Sequence, residues 1–195
     1  MKSAGAWIGL VVLVVVVLAC VGWYVNGLNR IVRLHESVNE KWAQVETMLQ
    51  RRNDLIPNLV ATVQGYAAHE TSLFEEITRL RSQWSQTSTV DEKIKNAQAM
   101  EGALGRLMVV VESYPQLRAV ENFQTLMAQL EGAENRISTE RVRYNDAVRA
   151  FNTYIREVFG KFFAKRRGLT QPMPYFEATP GAEKVPEVKF PGAGQ

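Results

Sequence analysis

Residues 7–25 read WIGLVVLVVVVLACVGWYV, and from Ala4 to Asn29 the chain carries no charged residue. A helix needs about 20 apolar residues to cross a bilayer core of roughly 30 Å. This run is long enough, and Trp7, Trp23 and Tyr24 stand near its ends, where interfacial aromatics belong. Residues 1–29 are therefore predicted to be a transmembrane anchor from which everything after Arg30 is presented. Two other readings start from the same residues. A cleaved signal peptide has an apolar region of only about 7–15 residues and a small-x-small cleavage site, whereas this run continues past Ala19 through Val21, Trp23 and Val25. Val17-Leu18-Ala19-Cys20 resembles a lipobox, and lipidation of Cys20 would leave the body outside the inner membrane. Against it, lipoproteins usually follow that cysteine with a polar tether, and here more apolar sequence follows.

Outward from the anchor, residues 30–167 have the composition of one helical domain and residues 168–195 that of an extended Pro/Gly-rich tail. Gly and Pro are scarce between Arg30 and Phe159 and accumulate afterwards. Cys20 is the sole cysteine, so no intramolecular disulfide forms. The net charge of +3 is small and interspersed, which argues against a nucleic-acid partner.

From Ile31 onward, apolar residues recur at steps of three and four, the mark of a packed helix face. Ile31, Val38, Trp42, Val45 and Leu49 form a first stripe. Cations at Arg51 and Arg52 suit a last turn. Asn53 or Asp54 suits an N-cap, and Pro57 the following first turn, so a break is predicted near residue 53. Leu59, Val63, Tyr66, Glu70, Leu73, Ile77, Leu80 and Trp84 form the second stripe. Thr89 with Glu92 reads as a capping box for a third helix carrying Val90, Ile94, Ala97, Leu104, Met108 and Val111. Pro115 opens a fourth, predicted to run through Leu117, Phe123, Leu130, Ile137, Tyr144, Phe151 and Tyr154 to Gly160. Short connections make consecutive helices antiparallel neighbours. The predicted fold class is all-α: an antiparallel up-down-up-down four-helix bundle with an N-terminal transmembrane helix.

Several segments resemble the LemA family of bacterial membrane proteins. They are QRRNDLIPNLV at 50–60, GYAAHE at 65–70, ESYPQLR at 112–118, Asn122-Phe123, EGAENRI at 131–137, Tyr144-Asn145 and VPEVKF at 185–190. The resemblance covers most of the chain after the anchor. It implies a single N-terminal anchor, a four-helix antiparallel body and no established enzymatic activity, and it supplies no catalytic residues. Some relatives are lipoproteins, which keeps the Cys20 reading open. Many relatives are less basic where this chain has KFFAKRR at 161–167, so that cluster is read for this chain alone.

Chemistry-bearing residues are few. With a turn at Asn53, antiparallel pairing would bring His35 near His69 and Glu70. Zinc sites usually take at least three protein ligands, and no third is placed there, so a polar contact such as His35 with Glu70 is the plainer reading. Glu70, Glu101 and Glu140 each stand where a stripe calls for an apolar residue. Di-iron bundles use Glu-x-x-His, which this chain lacks. Buried pairing with Arg52, Arg136 or Arg141, or reach to solvent at the stripe's edge, accounts for them equally. Arg51-Arg52 beside Asp54 and Asn58 reads as capping chemistry or as a docking tip. No catalytic, cofactor or metal residues are assigned.

Phe159, Lys161, Phe162, Phe163, Lys165, Arg166 and Arg167 are the membrane-surface candidates. A fourth helix of this length returns to the bilayer, where aromatics and cations make an interfacial anchor. Alternatively Phe162 and Phe163 close the bundle and the cations are simply solvated. The charges flanking the span nearly tie, Lys2 and the α-amine against Arg30 and Arg33, and the second basic cluster tilts the body toward the cytoplasm. The sequence thus points to a non-enzymatic adaptor or scaffold in the bacterial inner membrane, with lipid and an unidentified membrane or cytoplasmic protein as partners. The alternatives are a self-assembling, membrane-shaping homo-oligomer and a metal-carboxylate enzyme. VPEVKF at 185–190 alternates as a strand does and suits addition to a partner's sheet edge, or is an inert part of a mobile tail.

Overall fold

The structure, a computed structural model, describes residues 2–177. Its elements are all helical: α1 (Lys2–Gln64), α2 (Thr71–Gln86), α3 (Val90–Glu112), α4 (Pro115–Arg118), α5 (Glu121–Tyr154) and α6 (Val158–Arg167). They fall into two compact units. One takes the chain up to Met48 with Asn135–Tyr175, the other Leu49–Glu134 with Phe176 and Glu177.

The break expected near residue 53 is absent, because α1 continues to Gln64 with Pro57 inside it. An interior proline costs about 3 kcal/mol, and burial offsets it. Leu49, Arg52, Ile56, Leu59, Val60 and Val63 are all buried at helical spacing through this region. Asn53 is buried rather than capping. The chain turns instead at Gly65–Glu70, where the Tyr66 and Ala67 amides donate to the Val63 carbonyl. The stripe read as one helix from Leu59 to Trp84 is therefore shared between α1 and α2. Tyr66 is exposed and Glu70 is the N-cap residue of α2.

In the unit from Leu49 to Glu134, one apolar cluster joins four helical stretches. Ile56, Leu59 and Val63 come from α1, Leu73, Ile77 and Leu80 from α2, Met100, Leu104 and Leu107 from α3, and Phe123 and Leu130 from α5, with Leu117 of α4 sealed among them. Of the predicted capping box, the Thr89 half is in place, while the Glu92 carboxylate meets the Thr89 hydroxyl rather than its backbone amide. The Glu92 amide donates to Thr89 Oγ1 at 3.3 Å, and that hydroxyl donates to Glu92 Oε2 at 2.7 Å. Pro115 opens a helix as expected, but that helix is the single turn α4, and α5 starts afresh at Glu121.

In the other unit, Ile31, Val38, Trp42 and Val45 of α1 and Ile137, Tyr144, Val148 and Phe151 of α5 are buried. The Trp42 ring meets Tyr144 at 5.4 Å, edge on. From Leu169 to Glu177 the described chain is extended and held in place. Asn152 donates to the Met173 carbonyl at 2.9 Å and accepts from the Met173 amide at 2.8 Å, and the Tyr144 hydroxyl donates to the Pro174 carbonyl at 2.8 Å. Side chains thus satisfy backbone groups that no helix or sheet serves. The 185–190 segment lies outside the described residues.

Burial of the Tyr144 phenol pushes its pKa from about 10 up to about 12. The neutral form is the one the fold holds, so its stabilisation is complete below pH 10 and is lost as pH rises from 10 to 12. Tyrosinate absorbance should show one phenol ionising well after the others, with unfolding setting in over the same interval. In Tyr144→Phe the late-titrating phenol should be missing.

Candidate membrane-surface site

Every described side chain from Trp7 to Val25 is exposed, so the rest of the protein does not bury the apolar run. Where it ends, a second element meets it. The expected fourth helix stops at Tyr154, six residues short of Gly160. Glu157 is extended (φ −63°, ψ 151°), and α6 starts in a new direction at Val158. Glycine makes this corner possible. A Cβ on Gly160 would overlap the Tyr154 carbonyl, so no other residue fits without a backbone shift.

The corner lays α6 on α1 across the end of the apolar run. A Cβ on Gly27 would overlap the Phe163 ring, which occupies the space a larger residue would fill. Phe163 meets Trp23 at 5.2 Å and Tyr24 at 5.9 Å between ring centroids. Phe159 meets Trp23 edge on at 5.3 Å, and Phe162 meets Tyr24 at 6.3 Å. Such pairs contribute about 0.5–1.5 kcal/mol each beyond their buried area. The Tyr154 hydroxyl donates to the Gly27 carbonyl at 3.3 Å, and the Arg30 guanidinium stacks 4.7 Å over the Tyr154 ring. Burial raises the Tyr154 phenol pKa, with Arg30 opposing.

The two readings of the aromatics divide between residues. Phe163, only 2% exposed, closes the packing; Phe159 at 63% and Phe162 at 44% remain in the open. Lys161, Lys165, Arg166 and Arg167 are all exposed, with Arg166 5.6 Å over the Phe162 ring. The three cations of the last turn also complement the helix dipole. Gly168 ends α6 in the left-handed region (φ 70°), with the Leu169 amide donating to Ala164 and the Gly168 amide to Lys165. This is the Schellman arrangement.

The LemA family model matches residues 41–190. The chain belongs to the LemA family. Its relatives include magnetosome protein MamQ 2 and magnetosome protein MamQ 1 of Paramagnetospirillum magneticum. Each is 28% identical over 200 residues, covering 89% of this chain and 73% of the relative. Magnetosome protein MamQ of Magnetospirillum gryphiswaldense is 26% identical over 181 residues, covering 80% of this chain and 66% of the relative.

The polar candidates fall out differently from the sequence expectation. His35 lies 3.3 Å from Asn39 and edge on to Phe151, on α1 and α5. The turn that would pair it with Glu70 does not exist, and His69 is exposed. Glu140 is half-buried and pairs with Arg143 of its own helix at 2.7 Å, and its buried Oε2 has no hydrogen-bond partner among the described residues. Glu101 is half-buried on α3. Among the described residues no group of three His, Cys, Asp or Glu side chains is gathered that could hold a metal ion.

Arg52 is neither cap nor docking tip. It is 1% exposed, donates to Glu134 Oε1 at 3.2 Å and to the Ala97 carbonyl at 3.1 Å, and so ties α1 to α5 and α3. Beside it, Trp84 Nε1 donates to Gln50 Oε1 at 2.9 Å, and Gln50 donates to Asp54 at 2.8 Å. The sequence signal for Arg52 was present, since it continues the apolar spacing Leu49–Arg52–Ile56. Nothing local announced Gly27 or Gly160, whose close neighbours come from other helices.

Proposed function

We propose that this LemA-family protein is a non-enzymatic helical adaptor held in the bacterial inner membrane by a single N-terminal span. The observation that carries the reading is the bare apolar helix from Trp7 to Val25, continuous in α1 with the helix that enters the packed body. That stretch is long enough to cross a bilayer and is not buried by the described residues. The similarity to magnetosome proteins supports the same assignment. The body is read as an antiparallel helical bundle that offers helix faces and open grooves rather than a reaction centre. One groove is lined by Glu70, Leu73, Glu76, Arg106 and Val109.

The body faces the cytoplasm in this reading, because α6 adds four cations beside the span to Arg30 and Arg33. A tagged full-length chain crosslinked in intact cells, with mass spectrometry of what is captured, tests both statements. The expected result is crosslinks from the body to one defined membrane or cytoplasmic protein. Captured periplasmic proteins would refute the orientation.

A second reading, a self-assembling membrane scaffold, is favoured by the open rings of Phe159 and Phe162. It predicts crosslinks between copies of the chain alone.

A further inference from the structure

Gly27, on which Phe163 sits, lies two residues past the end of the apolar run, about 3 Å further along the helix axis. If α1 spans the bilayer, that height is the headgroup layer, and α6 is packed there by its buried face of Gly160, Phe163 and Ala164. The rest of α6 is open. Phe159 and Phe162 flank Trp23 and Tyr24 as apolar rings at the depth where membrane proteins concentrate aromatics. Lys161, Lys165, Arg166 and Arg167 are exposed, and no acidic residue occurs between Val158 and Arg167. Apolar rings beside exposed cations, at a fixed height next to a span, complement a layer of acyl chains topped by anionic phosphates.

We propose that α6 is a second, in-plane membrane contact that binds anionic phospholipid headgroups, seated at that depth by its clasp on residues 23–27 of α1. This deepens the anchored reading above and rests on it. The clasp separates this contact from a loose basic tail. The cations are presented by a helix whose position is set by ring packing and by a glycine, so affinity depends on Gly27 as well as on charge.

The test uses the full-length chain in lipid nanodiscs of phosphatidylcholine alone or of phosphatidylcholine mixed with phosphatidylglycerol. Amide hydrogen exchange is followed across 158–167. Each cation near an anionic surface contributes about fivefold. Exchange of α6 should therefore slow by about tenfold or more when phosphatidylglycerol is present, less so at high salt. Lys165→Gln/Arg166→Gln/Arg167→Gln, which changes only exposed residues, should remove most of the difference. Gly27→Leu should remove it with every charge in place. Equal exchange in the two lipids, or a lipid effect unchanged by the triple variant, overturns the proposal. A full lipid effect in Gly27→Leu overturns the clasp. A chain that fails to enter discs of either composition refutes the anchored reading and takes this inference with it. A chain that enters both and exchanges alike refutes this inference alone.

Discussion

Leu13→Arg together with Val14→Arg moves the full-length protein from the membrane fraction to the soluble or degraded fraction. Between Ile8 and Val25 the chain holds twelve Ile, Leu and Val residues. At about 0.3–0.6 kcal/mol each on the insertion scale, they favour the membrane by roughly 4–7 kcal/mol. Two arginines at the middle of the run cost about 2.5–3.5 kcal/mol each and also remove two apolar contributions. The balance then tips against insertion. Flanking polar groups give no rescue, because Leu13 and Val14 sit too deep for a guanidinium to reach either surface. Carbonate extraction of membranes from cells expressing the parent and the variant reads the outcome. A double variant that still resists extraction would mean that the span is not what holds the protein. Trp42 and the rest of the packed body lie outside the substituted region, so helicity of the solubilised variant after Arg30 should be retained.

Glu134→Ala destabilises the unit from Leu49 to Glu134 by about 3 kcal/mol. Arg52 is sealed in the core, with Glu134 and the Ala97 carbonyl as its acceptors and with Nε already lacking one. Removing the carboxylate leaves a buried cation without its counter-charge. The expected value is at the lower end of the range for breaking buried pairs, because about a third of the Glu134 side chain is exposed and water can enter beside it. Arg52→Met combined with Glu134→Leu should recover most of the loss, since an apolar pair of similar volume need not be desolvated as ions. Thermal or denaturant unfolding of the full chain in detergent, followed by circular dichroism, measures both. A Glu134→Ala protein within 1 kcal/mol of the parent would show that the pair behaves as a surface ion pair despite its burial. The Asn53 side chain is buried beside Arg52 in sequence, and neither of its polar atoms has a hydrogen-bond partner among the described residues. The change that removes the Arg52 charge therefore leaves a polar neighbour in place.

Much of this protein was legible residue by residue. Thr89 and Glu92 cap a helix, Pro115 opens one, and the apolar steps of three and four reappear as the buried faces of α1, α2, α3 and α5. Those signals are local, because a cap or a periodic face is complete within one or two turns. The helical class and the apolar run at 7–25 were therefore determined by sequence alone, as was the cluster of aromatics and cations at 159–167. What the cluster does in space was not. Its aromatics admitted packing or exposure, and tertiary structure decided by folding α6 back at Glu157 so that Phe163 is covered while Phe159 and Phe162 are not. Local rules also put a break at Asn53. Burial of Ile56, Leu59 and Val63 carried the helix through Pro57, an apolar gain that no window around the proline contains. Arg52 looked like a last-turn cation until its carboxylate arrived from 82 residues further along the chain. Helix, cap and apolar run are decided by neighbours in sequence. Where a helix stops, which charge is buried and which glycine must stay bare are decided by neighbours in space, through burial and close contact.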